Sequence, residues 1–277
     1  MWLILSLITA LGFGVGQVIA KKGLSDLPRS VVYTINGLCF TFVWLAYLLI
    51  NGGLEWNFWA FLISALPGVA YGYTLTAYLK AEVGKVATVG ALSAVVSTLV
   101  ARGLIGEELS YLQISFILMT IVGVMIVSWP GKKVKDFSWF KWGLGYALIY
   151  GVVNVMTKKG MALVNPVSYS LMDAWWVLLI SIIWLYKEKS GKQLILSFSK
   201  TGGKILVGGL TIFNLGGMAL FLALNTGMVG AVMGVMNLNV VIVIGLSGWW
   251  LKEKMSARQL LGAWIVVLGV VGLSLLG

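Results

Sequence analysis

Histidine is absent from this chain, and cysteine occurs once, at Cys39. Metal sites built on His or Cys ligands are thereby excluded, as are Ser-His and Cys-His nucleophilic pairs. A disulfide within the chain is impossible, and Cys39, set in an apolar run, reads as a buried thiol. Charge is scarce as well: 10% of the residues are charged, against about 25% in a soluble domain. Acids are the scarcer sign, 9 against 20 basic residues, leaving a formal charge of +11. A basic excess points to nucleic acid only when it gathers on one face. Here the lysines fall in short loops between apolar runs, the pattern that membrane insertion imposes, so no nucleic-acid partner is expected.

What the chain has in excess is apolar surface. Of 277 residues, 60% are hydrophobic, more than a soluble core can hide. Apolar stretches run at roughly 1–20, 31–50, 57–79, 86–103, 112–129, 139–157, 167–186, 204–225, 229–250 and 258–276. Most have the length of about 20 residues that a helix needs to cross a bilayer. A membrane barrel would instead show alternating segments of about ten residues. The expectation is an all-α integral membrane protein with ten spans in the lipid bilayer. The breaks carry turn and charge signals, at Lys21-Lys22-Gly23, Asn51-Gly52-Gly53, Pro130-Gly131-Lys132-Lys133 and Lys252-Glu253-Lys254. The first stretch lacks a basic n-region and is followed by lysines, so no signal cleavage is expected.

Loops one–two, three–four, five–six, seven–eight and nine–ten hold all but three of the basic residues. The exceptions are Arg102, Lys158 and Lys159. The bias predicts a multi-pass plasma (prokaryotic inner) membrane protein with those loops cytoplasmic and both termini outside.

The chain also repeats itself. Phe13-Gly14-Val15-Gly16-Gln17-Val18-Ile19-Ala20-Lys21-Lys22-Gly23 matches Tyr150-Gly151-Val152-Val153-Asn154-Val155-Met156-Thr157-Lys158-Lys159-Gly160, and Pro28 and Ser30 match Pro166 and Ser168. Farther on, Glu107, Ser110, Gln113, Gly123 and Ser128 match Glu253, Ser256, Gln259, Gly269 and Ser274. The expected organisation is a first five-helix repeat over 1–130, a connecting loop over 131–138 and a second repeat over 139–277, forming one unit. Because five is odd, the second copy must enter the bilayer inverted. Inverted repeats are a recurrent design of secondary transporters, since exchanging the conformations of two similar halves turns a cavity from one side to the other.

The Gly-rich first span running into Lys21-Lys22-Gly23, and the twin blocks Gly106-Glu107-Glu108-Leu109-Ser110-x-x-Gln113 and Lys252-Glu253-Lys254-Met255-Ser256-x-x-Gln259, resemble the EamA-type branch of the drug/metabolite transporter superfamily. The resemblance covers nearly the whole chain. It implies ten helices around a central cavity, movement of amino acids, other metabolites, sugars or organic cations, and no ATPase module. The sequence likewise lacks a Walker Gly-Lys-Ser/Thr loop. Members of that superfamily are usually drawn with cytoplasmic termini, against the charge count here.

Asp173 is the sole acid well inside an expected span. An intramembrane carboxylate is costly and normally faces a cavity or a partner. It reads as a proton or cation site, as one half of an ion pair with a nearby Lys, or as a helix-start acid. Asn36 is its repeat equivalent. Gln17 and Asn154 are repeat partners, and Asn214, Asn237 and Asn239 lie in spans eight and nine. Any single amide is as well explained as glue between helices; as a cluster around the pore that the resemblance implies, they line a cavity. Among the aromatics, Trp56, Trp59, Trp139, Trp142, Trp249 and Trp250 read as an interfacial belt. Tyr71, Tyr73, Tyr150, Trp175 and Trp176 are deeper and suit stacking on a substrate or packing in the core. Gly12, Gly16, Gly208, Gly209, Gly216, Gly217, Gly230 and Gly234 suit close helix approach. Glu107 and Glu253 read as caps of the helices that follow.

The expected function is a secondary active transporter exporting a small polar metabolite, an amino acid or related compound, by alternating access. Asp173 is the candidate for proton coupling. Multidrug cation efflux and a lipid or lipid-linked-sugar flippase are the alternatives. Without His, and without a second intramembrane Asp, no enzyme is expected, nor any cofactor.

Overall fold

The computed structural model describes residues 1–23, 27–80, 83–106, 110–128, 138–252 and 255–275. Glu107, Glu253 and the stretch from Pro130 to Lys133 lie outside them, as does the expected connecting loop up to residue 137; Ser138 already opens a helix. Among the described residues every regular element is helical. The first half holds α1 (Trp2–Gly23), α2 (Arg29–Asn51), α3 (Phe58–Ile63), α4 (Ala65–Lys80), α5 (Val83–Gly90), α6 (Leu92–Ile105) and α7 (Tyr111–Ser128). The second holds α8 (Ser138–Met161), α9 (Pro166–Glu188), α10 (Gly191–Ser199), α11 (Thr201–Thr226), α12 (Val229–Met236), α13 (Asn239–Leu246) and α14 (Ala257–Leu275), with a π-helical turn over Ser247–Leu251. Among the described residues, seven runs are long and apolar enough to cross a membrane, three of them bridging a local break, and α7 and α14 are shorter apolar helices.

The repeat is built inverted, and hydrogen bonds at both ends of the α2–α9 pair show it. At the start of α2, the Glu188 carboxylate that ends α9 accepts from the Ser30 hydroxyl at 2.7 Å and its amide at 3.4 Å. At the other end, Glu55, just past α2, accepts from the Asn165 amide at 2.7 Å, while the Ser168 hydroxyl accepts from the Glu55 amide at 2.7 Å. Ser30 and Ser168 are repeat partners, yet they sit at opposite ends of the pair. Each half thus supplies a carboxylate to the helix start of the other, where unpaired N–H groups favour an anion. Glu188→Ala, which strips three donors of their acceptor by also releasing Trp184 Nε1, is expected to lower the melting temperature of the purified protein by a few degrees. Glu188→Gln should keep part of that stability.

Other matched residues perform matched tasks. Ser110 and Gln113 form a reciprocal capping box at the start of α7 (2.7 and 3.2 Å), and Ser256 and Gln259 repeat it at the start of α14 (2.9 and 3.3 Å). This is the physical content of the twin Ser-x-x-Gln blocks. Along the antiparallel α7–α14 seam, a Cβ at Gly123 would lie 2.7 Å from the Val266 nitrogen, and one at Gly269 2.9 Å from that of Thr120. The α1–α11 seam is equally tight: a Cβ at Gly12 would lie 2.6 Å from the Gly216 Cα. Gly208, by contrast, faces open space.

Three expected spans are interrupted. Ser64 separates α3 from α4; Ala91 separates α5 from α6; Asn237 and Leu238 separate α12 from α13. Ala91 and Asn237 are repeat equivalents, and they meet, with Asn237 Nδ2 3.4 Å from the Ala91 carbonyl oxygen. The Ala91 carbonyl also accepts from the Ala94 amide at 3.1 Å, and the Asn237 side chain, which bonds Met233 O at 2.9 Å, links the two breaks.

Candidate functional site

A cavity of about 100 Å³ lies among α1, α2, α4, α6, α8, α9, α11 and α12. For scale, a cavity of about 150 Å³ takes up benzene. Seven of the ten residues expected at the site line it: Gln17, Asn36, Tyr71, Tyr150, Asn154, Asp173 and Asn214. They come from six helices of both halves, brought together by the seams described above. Thr74, Ser93, Tyr146 and Thr157 add polar groups, and Phe13, Phe40, Phe213 and Phe221 add aromatic wall.

Asp173 is the eighth residue of α9 and 4% exposed, well past the first turn, so it is no helix-start acid. Its Oδ1 has no hydrogen-bond partner among the described residues, and the described residues of the lining include neither Lys nor Arg, which leaves the ion-pair reading without a partner among them. Gly68 gives it room: a Cβ there would stand 3.4 Å from Asp173 Oδ1 and 3.1 Å from Val177 Cγ2. The Tyr33 hydroxyl donates to the Gly68 carbonyl at 2.7 Å and fixes that backbone. Gln17, 6% exposed, likewise leaves Oε1 without a partner. The repeat equivalent of Asp173 is differently occupied. Asn36 Oδ1 accepts from Asn214 Nδ2 at 3.1 Å, and that same nitrogen also donates to Leu210 O at 2.8 Å. The cavity is therefore asymmetric, with an unpartnered carboxylate oxygen at one position and, at its repeat equivalent, an amide oxygen bonded to Asn214.

The second polar wall is α8. Tyr146, Tyr150, Asn154 and Thr157 fall four, four and three residues apart, one face of a helix, and the two tyrosine rings pack at 4.6 Å. Asn154 Nδ2 reaches Ser97 Oγ at 3.4 Å. That stripe was legible in the sequence and would have found Tyr146 and Thr157. Its polarity also fits the absence of α8 from the seven strongly apolar runs.

Three expected site residues lie outside the lining. Trp176 donates its Nε1 to Phe61 O at 2.7 Å and packs on the Phe61 ring, so it serves the α3–α4 break. Asn237 holds the α5–α6 break, and Asn239 is buried at the start of α13 with Oδ1 unpartnered. Of the other deep aromatics, Trp175 is 72% exposed on the outer surface. Trp56, Trp59, Trp249 and Trp250 are exposed near helix ends as a belt requires; the Trp139 side chain lies outside the described residues. Lys158 donates to the Gly227 carbonyl at 2.9 Å, just past α11, where a cation suits the helix end.

A many-helix membrane bundle, duplicated and inverted, with a buried polar cavity between its halves, defines a membrane transport protein. The chain belongs to the EamA-like transporter family, whose model matches residues 1–129 and again 137–275. That is a transporter family and not an enzymatic one. No curated protein matches the sequence. A crystal structure of a protein 14% identical covers 99% of this chain and 96% of its own with a TM-score of 0.73, a likeness of fold.

Proposed function

We propose that this protein is a secondary active transporter that exports a small polar metabolite, an amino acid or a related amine-bearing compound, by alternating access. The observation that carries the reading is Asp173, a buried carboxylate with an unpartnered oxygen in a cavity between the halves. A charge so placed is costly unless it takes a proton or meets a cation. A substrate ammonium group supplies the cation, the amides of Asn36, Asn154 and Asn214 surround the rest of the molecule, and a proton replaces the substrate when it leaves. Ten spans are counted by joining α3 with α4, α5 with α6 and α12 with α13, and by setting α10 aside. The α2–α9 pair, tied at both ends, is then the axis about which the halves exchange conformation. The described residues lining the cavity include no cationic side chain to hold a carboxylate, and this favours organic cations as the second reading.

Proteoliposomes test it. Saturable flux of labelled amino acids or amines that follows an imposed pH gradient is the expected result. No flux of amino acids, quaternary amines or sugars by folded protein would overturn the transporter reading. Orientation is tested on a Cys39→Ser background. A cysteine at Asn51 should react with an impermeant maleimide on intact cells, and one at Lys200 only after permeabilisation; the reverse pattern would place the termini inside.

A further inference from the structure

The short helix α10 and its flanks are not accounted for by the transport site. We propose that the α9–α10 corner binds the headgroup of an anionic phospholipid, with α10 lying in the membrane interface. Five lysines, Lys187, Lys189, Lys192, Lys200 and Lys204, fall within eighteen residues of chain. Three of them, with Leu185, Tyr186 and Gly191, line an open surface depression where α9 turns into α10. Lys189 takes a left-handed backbone conformation (φ 51°) that ends α9 and turns the chain into α10.

The carboxylate within this lysine run does not neutralise it. Glu188 is turned away, onto Ser30 and Trp184. Ser190, which precedes α10, is diverted in the same direction: its hydroxyl meets that of Ser30 at 2.6 Å and makes no cap on α10. The clamp that joins the two halves thus leaves the corner basic. Beside it, α10 exposes Ile195 (73%), Leu196 (57%) and Phe198 (45%), with Lys192 one turn before Ile195 and Leu196 on the same outward side, while Ser197 is buried against the protein. Apolar residues on one face with basic residues beside them is the pattern of a helix lying in the headgroup region. The repeat-equivalent connection, Gly52 to Asn57, has neither lysines nor a helix. The feature therefore belongs to one face of the membrane, the one with most of the positive charge. Anionic lipids of the cytoplasmic leaflet attract basic segments of this kind.

The test is lipid retention by the purified, full-length protein, read by native mass spectrometry with phosphatidylglycerol or phosphatidylcholine added at equal concentration. Wild type is expected to retain phosphatidylglycerol preferentially, and the preference should weaken as salt is raised. The triple variant Lys187→Gln, Lys189→Gln, Lys192→Gln should lose about tenfold or more of that preference, with its melting temperature in neutral detergent unchanged. Equal retention of the two lipids by wild type would overturn the proposal without needing the variant. So would an undiminished preference in the triple variant, or competition by inorganic phosphate as effective as by the lipid. Flux in the transport assay is independent of these outcomes, so failure here leaves the transporter reading standing.

Discussion

Asp173→Asn is expected to lower saturable flux by about 10- to 100-fold, the equivalent of one charge-assisted hydrogen bond of about 1.5–3 kcal/mol. The substitution keeps the shape of the side chain and removes its ability to exchange a proton for a cation. Folding should not suffer, because losing a buried unpaired charge removes a desolvation cost. The variant should therefore melt no lower than wild type, which separates a lost site from a lost fold. Placing the acid at the repeat-equivalent position, Asn36→Asp on the Asp173→Asn background, is expected not to restore flux. Asn36 is already engaged by Asn214, whereas Asp173 Oδ1 is free. Unchanged flux in Asp173→Asn would remove this carboxylate from the mechanism.

The other large effect belongs to the α1–α11 seam. A Cβ at Gly16 would meet only backbone, 2.6 Å from the Phe213 nitrogen and 2.8 Å from the Gly209 oxygen. Nothing flexible can give way, so the helices must separate. Gly16→Ala should cost about 1–3 kcal/mol, and Gly16→Leu should prevent recovery of folded protein. Gly208→Ala, in open space on the neighbouring helix face, should instead gain up to about 1 kcal/mol from helix propensity. Thermal unfolding in detergent measures both. Equal melting of Gly16→Ala and Gly208→Ala would show that the seam is looser than its geometry.

Much of the fold is legible in residue order because the bilayer imposes a length and an apolar content on each span, and because the duplication left matched Gly, Ser and Gln residues. The candidate site is only partly legible. Asp173 stands out because acids are so rare in the spans. Trp176, Asn237 and Asn239 look the same in sequence as the amides and aromatics that reach the cavity. They sit at the interrupted α3–α4, α5–α6 and α12–α13 spans instead: Trp176 donates to Phe61 O, Asn237 to Met233 O and Ala91 O, and Asn239 is buried at the start of α13. Nothing in Val-Gly-Ala-Leu-Ser around Ala91 announces such a break.

Residue order alone tells that the chain crosses a membrane many times, which loops are basic, and that its halves are copies. Which polar groups face one another is set by packing in three dimensions. Lipid tails are as apolar as a packed helix interface, so hydrophobic pattern does not separate the lipid-facing side of a helix from the packed one. The glycine seams and the two carboxylate clamps set how the helices turn, and that turn brings Asp173 to the cavity with an oxygen left unbonded.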